Sequence, residues 1–267
     1  MAQAIKLTKS RSGTRWWAKT TRQVLFYVLL LVIWELLARS GIWPDYLFVG
    51  PLAVASRIAQ GFQDGTFMTA ILVSLSRLLI GYGISLIVGV ALGLLIGRNR
   101  YAEETLGSLV LGLQALPSVC WIPLAILWLH ASEQAMIFVV VMGALFSITL
   151  GVDAGVKNTP PLYLKAARNM GASGVALAAR VILPAALPAI LTGLKQGWTF
   201  AWRSLMAAEL IYITVSLGGL LETGRDLNDI SQMFAIMLII IIIGVAIDGG
   251  IFGPLERLVR RRWGLAE

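Results

Sequence analysis

The sequence predicts an all-α, polytopic membrane protein: six transmembrane helices with an amphipathic knuckle on the cytoplasmic side. Three observations carry this. The 267 residues are 58% hydrophobic and 13% charged, with a mean hydropathy of +0.81; a soluble domain of this length cannot bury so much apolar surface, so lipid is the solvent. Apolar runs of spanning length recur six times, with basic residues grouped between them. One long stretch, 160–188 (PPLYLKAARNMGASGVALAARVILPAALP), breaks the apolar pattern with the spacing of short surface helices.

Residues 1–23 form a basic cytoplasmic segment carrying Lys6, Lys9, Arg11, Arg15, Lys19 and Arg22 without an acid, with Trp16 and Trp17 at headgroup level. The six-helix domain occupies 24–256. Its first run, 24–38, resembles the apolar part of a signal peptide but lacks a small-x-small cleavage site and is followed by further spans, so it reads as an uncleaved helix. Residues 41–67, with Pro44, Asp45, Pro51, Asp64 and Gly65, read as an outer loop holding a short amphipathic helix at 52–62.

The second span, 69–97, carries Gly81, Ser85, Gly89, Gly93 and Gly97, a small residue at every fourth position. Such a ridge lets two helix backbones approach closely where lipid removes the hydrophobic drive. A charged turn follows, with Arg98, Arg100, Glu103 and Glu104. The third span, 106–129, contains Pro117 and Pro123 around Trp121, which predicts a bent or broken helix tolerated where protein or a cavity re-satisfies the backbone. After a turn at 130–134, the fourth span covers 135–152.

The knuckle comes next, within a loop of about 157–184. Thr159 before Pro160 and Pro161 is a helix-start signal. Tyr163, Ala166, Ala167 and Met170 share a face, while Lys165, Arg168 and Asn169 point elsewhere. Gly171 ends the helix in the left-handed conformation, Ser173 caps a second short helix, and Pro184 and Pro188 redirect the chain. A face this small and close-packing suits a groove on another protein; the plainer alternative is an amphipathic loop on the membrane surface. The fifth span is 187–214, 216–231 is a polar outer loop, the sixth span is 233–252, and 257–267 is a basic cytoplasmic tail with Arg257, Arg260, Arg261 and Arg262.

With the N-terminus inside, the inner segments hold sixteen of the 22 Lys and Arg residues, and the outer loops only Arg39, Arg57 and Arg225. This asymmetry places both termini and the knuckle in the cytoplasm. It also accounts for the net charge of +8 without a nucleic-acid partner. Cys120 has no intrachain partner and reads as a packing residue. No phosphate-binding loop, zinc-ligand spacing or serine nucleophile elbow occurs, so no catalytic residue, metal or cofactor is expected in this chain. His130 reads as an interfacial or loop residue.

Ala166-Ala167, Gly171 and Val181-Ile182-Leu183-Pro184 resemble the "EAA…G…I-LP" loop of ABC-importer permeases, with Lys165 where that family usually has Glu and Val181 where it usually has Ile. The resemblance extends from Pro51 to Trp263. Ser74-Leu75-Ser76-Arg77 with Gly81, and Pro117 with Ile122-Pro123-Leu124, look like the core of permeases for nitrate, sulfonates and taurine. Trp202, Ala207-Ala208-Glu209, Asp248 and Leu255-Glu256-Arg257 are similar to its later part. His130 stands where these proteins often have Gly.

The resemblance implies a type I importer-like fold in the bacterial inner membrane, with the loop as the coupling helix that docks on an ATP-hydrolysing subunit through Tyr163, Lys165, Ala166, Ala167, Met170, Gly171, Leu183 and Pro184. It implies a second copy of the chain, two cytoplasmic ATPases holding ATP and Mg, and an extracytoplasmic solute-binding protein. The function it implies is import of a small anion (aliphatic sulfonate, taurine or nitrate) by alternating access. A thiamine-precursor pyrimidine is the alternative substrate, and a self-sufficient secondary transporter the alternative mechanism.

Charged residues inside spans are costly and point to function or pairing. Glu35, Arg77 and Asp248 read as snorkelling or structurally paired. In the fifth span Lys195, Trp198, Thr199, Trp202, Arg203 and Glu209 lie within one sector of roughly 140° at 100° per residue, and are expected to line the translocation path.

Overall fold

The computed structural model describes residues 12–44, 47–212 and 214–263, with side chains from Thr21 onward. Lys6, Lys9, Arg11, Asp45 and the last four residues of the tail lie outside the described residues, as do the side chains of Arg15, Trp16, Trp17 and Lys19.

The helices are α1 (Ser12–Arg39), α2 (Pro51–Gln63), α3 (Thr66–Arg98), α4 (Arg100–Ala102), α5 (Ser108–Gln114), α6 (Ile122–Leu129), α7 (Glu133–Lys157), α8 (Pro161–Asn169), α9 (Gly174–Leu177), α10 (Leu183–Glu209), α11 (Leu217–Asp226), α12 (Ile230–Ile247) and α13 (Gly253–Arg262). π-Helical turns join α4 to α5, α9 to α10 and α12 to α13.

The core is α7 packed between α3 and α10; over half of α7 is buried, whereas the apolar stretch of α1 is wholly unburied. The small-residue ridge of α3 makes the first of these contacts. A Cβ added at Gly81 would meet Val140 at 2.6 Å, one at Gly89 would meet Ile148 at 2.9 Å, and one at Gly97 would meet Val156 at 2.8 Å. Both sets of numbers rise together, so α3 and α7 run parallel. On its other face α7 uses Gly143, Gly151 and Gly155 against Ser204, Gly193 and Ala186 of α10, which therefore runs antiparallel. Gly143, Ser147, Gly151 and Gly155 of α7 and the matching Ala189, Gly193, Gly197 and Ala201 of α10 repeat every fourth position, a second pair of small-residue ridges legible in the sequence.

Parallel α3 and α7 mean that residues 99–132 must cross the whole bilayer. They do so as a broken span, Arg100–Gln114 followed by Ser118–Leu129, bent by 102°. Pro117 removes the amide that would continue α5. Lys157 ties the first half to α7, with its Nζ 2.8 Å from Glu103 and 2.9 Å from Asp153. Trp34 near the end of α1 stacks 5.6 Å from Phe234 near the start of α12, and α12 ends beside α10 where Leu191, Phe252 and Val259 cluster. The described residues thus hold five helices long and apolar enough to cross a membrane, and the bent pair makes a sixth span when counted as one.

Three expectations are corrected. Residues 216–231 contain α11, capped by Ser216 Oγ, which accepts the Gly219 N–H at 3.1 Å. The fifth helix ends at Glu209 rather than 214. Pro184 and Pro188 do not redirect the chain: Gly174 to Glu209 forms one span. Pro184 sits in the first turn of α10, where a missing N–H costs little, just after a π-helical turn in which the Leu183 N–H reaches back five residues to Ala178.

Candidate coupling face and membrane path

α8 and α9 form the predicted knuckle at the end of α7. Gly171 adopts φ +82°, and two hydrogen bonds close the helix behind it: Gly171 N–H to Arg168 O and Ala172 N–H to Ala167 O, both 2.9 Å. This is a Schellman closure, which requires the left-handed residue that glycine supplies at little cost. Thr159 does not cap α8. Its Oγ1 donates back to Gly155 O at 3.1 Å, and Pro160 takes the cap position. Ser173 holds the cap position of α9 without a side-chain hydrogen bond.

The predicted face divides. Ala167 is buried and, with Leu164, Leu177 and Ile182, anchors the knuckle to the core. Arg98 Nη1 donates to Gly174 O at 3.3 Å and ties it to the end of α3. Tyr163, Ala166 and Met170 turn outward, joined by Leu162 and Val175; Met170 is 81% exposed and Val175 83%. Lys165, Arg168 and Arg180 are exposed around them, so the surface is apolar with a basic rim. Leu183 and Pro184 border a groove of about 940 Å³ that continues from Tyr163 to Arg262 and Trp263.

The fifth-span stripe is not one cavity-facing sector. Glu209 is fully buried: Ser74 Oγ donates to its carboxylate at 2.8 Å, the Gly218 N–H at 3.1 Å and Arg77 Nη1 at 3.2 Å. Lys195 pairs with Asp248 at 2.8 Å. Trp198 packs on Tyr82, ring centres 5.1 Å apart, and Trp202 joins the core. The packed neighbours α3 and α12 consume that edge of the helix. Thr199 and Arg203 remain exposed on the other edge, continuing a polar row with Thr192 and Gln196. Arg203 makes no ion pair or hydrogen bond among the described residues. Arg77 and Asp248 are structurally paired as expected, and Glu35 pairs with Arg39 at 2.5 Å.

The sequence signature of the family described as "Binding-protein-dependent transport system inner membrane component" matches residues 85–261, a span holding the broken crossing, α7, the knuckle and α10. The chain belongs to that family. A putative ABC transporter permease of Methanocaldococcus jannaschii is 33% identical over 230 residues, covering 84% of this chain and 85% of the relative. The nitrate import permease protein NrtB of Synechocystis is 27% identical, covering 86% of each chain. The taurine transport system permease protein TauC of Escherichia coli is 27% identical, covering 95% of this chain and 94% of its own. Among solved structures, the MetNI methionine ABC transporter superposes with a TM-score of 0.62 at 18% identity, covering 74% of this permease and 97% of that chain.

As an ABC permease subunit the protein is a non-enzymatic, multi-pass membrane component. ATP hydrolysis belongs to a separate subunit, and an ATPase and a binding protein are the general partners of the family.

Proposed function

We propose that this permease forms the membrane path of an importer for a small anion of the sulfonate, taurine or nitrate type, as a homodimer carrying two ATPases, with both termini and the knuckle in the cytoplasm. The observation that carries the coupling role is the outward-turned apolar face of Leu162, Tyr163, Met170 and Val175 on a rigidly closed helix. Exposed apolar groups clustered on a polar-rimmed surface mark an interaction site, and the two short helices are anchored to α3 and α7 firmly enough to transmit movement. Closure of the ATPases on ATP would draw two knuckles together and re-orient α7 with α3 and α10, because the three helices are closely packed on one another.

The anion reading is supported by the named relatives and by the charge left over in the spans. Lys195 and Arg77 have carboxylate partners, and Arg203 does not. The test is reconstitution of the permease with the ATPase that co-purifies with it and its solute-binding protein, followed by ATP-driven uptake of labelled nitrate, taurine and ethanesulfonate. Uptake of one or more is expected; uptake of a pyrimidine alone, or of any solute without the ATPase, would overturn the reading.

A further inference from the structure

The break in the third span opens a cavity of about 270 Å³ between that span, α7 and α10. Gln114, Ser118, Phe146, Ser147, Phe200 and Arg203 line it, and no carboxylate does. Ser147 stands 14 residues from the start of α7 and ten from its end, about 21 and 15 Å at 1.5 Å per residue, so the cavity lies deep within the bilayer.

Two of its polar atoms are buried and unpartnered: Ser147 Oγ and Gln114 Oε1. Ser147 is only 3% exposed. Its isolation is unusual for this protein. Ser85, Thr149, Thr159, Thr192, Thr199 and Ser204 each donate to the carbonyl four residues back. Such back-bonding is the ordinary way to satisfy a hydroxyl in a membrane helix, and Ser147 forgoes it. A buried hydroxyl, a buried amide and an uncompensated guanidinium sharing one hole are costly unless something occupies it.

We infer that this cavity is an anion-binding site within the membrane, taking a small oxyanion on Arg203, Ser147 and Gln114. The guanidinium offers paired, coplanar N–H donors that match two oxygens of a carboxylate, nitrate or sulfonate. The Ser147 hydroxyl supplies a third donor. A half-turn of the Gln114 amide presents its NH₂ group to the cavity. Phe146 and Phe200 give the cavity an apolar wall, which lowers the local dielectric below that of water and so strengthens attraction for an anion and repulsion of a cation. The volume lies below the range of about 300–1,000 Å³ usual for drug-sized ligands and selects an ion of few atoms. The cavity bordered by Lys195 lacks this character, because Glu256 also lines it and Asp248 pairs the lysine.

This site rests on the reading of the protein as an anion importer, but its test does not. In a Cys120→Ser background, Ser118→Cys places a thiol in the cavity wall. The purified permease–ATPase complex is labelled with the anionic sulfonatoethyl and the cationic trimethylammonioethyl thiosulfonates. The anionic reagent is expected to react faster, and Arg203→Gln to lower the anionic-to-cationic rate ratio about tenfold, with Arg203→Lys retaining most of it. Nitrate or taurine at millimolar concentration should slow the labelling, less so in Ser147→Ala. An unchanged ratio in Arg203→Gln, with the complex intact by size-exclusion chromatography, overturns the site. If wild-type uptake is then normal in that variant, the importer reading stands without it. If the labelling contrast holds but none of the three anions is transported, the anion site stands and the substrate reading falls.

Discussion

Arg77 and Glu209, 132 residues apart in sequence, form an ion pair of 3.2 Å in which the carboxylate is fully buried and the arginine side chain is 6% exposed. Arg77 also reaches the exposed Glu133 at 3.0 Å. The pair joins the start of α3 to the end of α10 and, through Ser74 and Gly218, fixes the entry to α11.

Removing Arg77 leaves the Glu209 carboxylate fully buried without a counter-charge. Arg77→Met should destabilise the permease by about 3–5 kcal/mol. Arg77→Met with Glu209→Gln should recover most of it, and Arg203→Gln with Glu209→Gln should show no such recovery. Thermal unfolding in detergent reads the three variants against the wild type; equal loss in the Arg77 single and its double would show that the two residues do not act as a pair.

Gly171 has open space around its missing Cβ but a φ of +82°, so its substitution acts by backbone strain. Gly171→Ala should cost about 1–2 kcal/mol and Gly171→Asn less, since asparagine visits this region. Co-purification of the ATPase should fall more in Ala than in Asn by strain, and most in Asp, whose carboxylate brings a charge to an apolar contact, while membrane insertion persists. Full uptake in Gly171→Asp would remove the knuckle from the coupling path.

Met170 and Val175 are among the most exposed apolar side chains of the knuckle. Met170→Glu or Val175→Glu should leave stability within about 0.5 kcal/mol, as surface changes do, yet weaken ATPase binding. Lys165 has no partner among the described residues, so Lys165→Glu should alter the salt dependence of that binding rather than the fold. Pull-down across a salt series distinguishes the two effects.

At Gly151 an added Cβ would lie 2.5 Å from the Gly193 backbone, whereas at Gly83 it would meet nothing. Gly151→Ala should force α7 and α10 apart at about 1–3 kcal/mol, and Gly83→Ala should cost no stability. Comparable melting of both variants would contradict the packing.

The antiparallel run of α10 against α7 puts the knuckle and α11 at opposite ends of the bundle. In a Cys120→Ser background, Lys165→Cys should resist an impermeant thiol reagent in intact cells and Thr223→Cys should react. The reverse pattern would invert the proposed orientation.

The sequence by itself determined which segments enter the membrane, where the third span breaks, and where the knuckle lies with its left-handed glycine. Each rests on local chemistry: apolarity over a bilayer's thickness, a proline without an N–H, a residue without a Cβ. The small-residue ridge of α3 announced a close partner but not that the partner was α7, nor that the two run parallel. Only the tertiary structure decided that, and with it the fate of the polar stripe on α10. Trp198, Trp202 and Glu209 were taken up by α3 and α12, Lys195 was neutralised by Asp248, and Arg203 was left facing the break at Pro117. The physical reason is that lipid and a neighbouring helix are equally apolar. Hydropathy therefore locates a helix in the membrane without showing which of its faces meets protein, and the answer lies in close backbone approach and in charges that find partners far away in the chain.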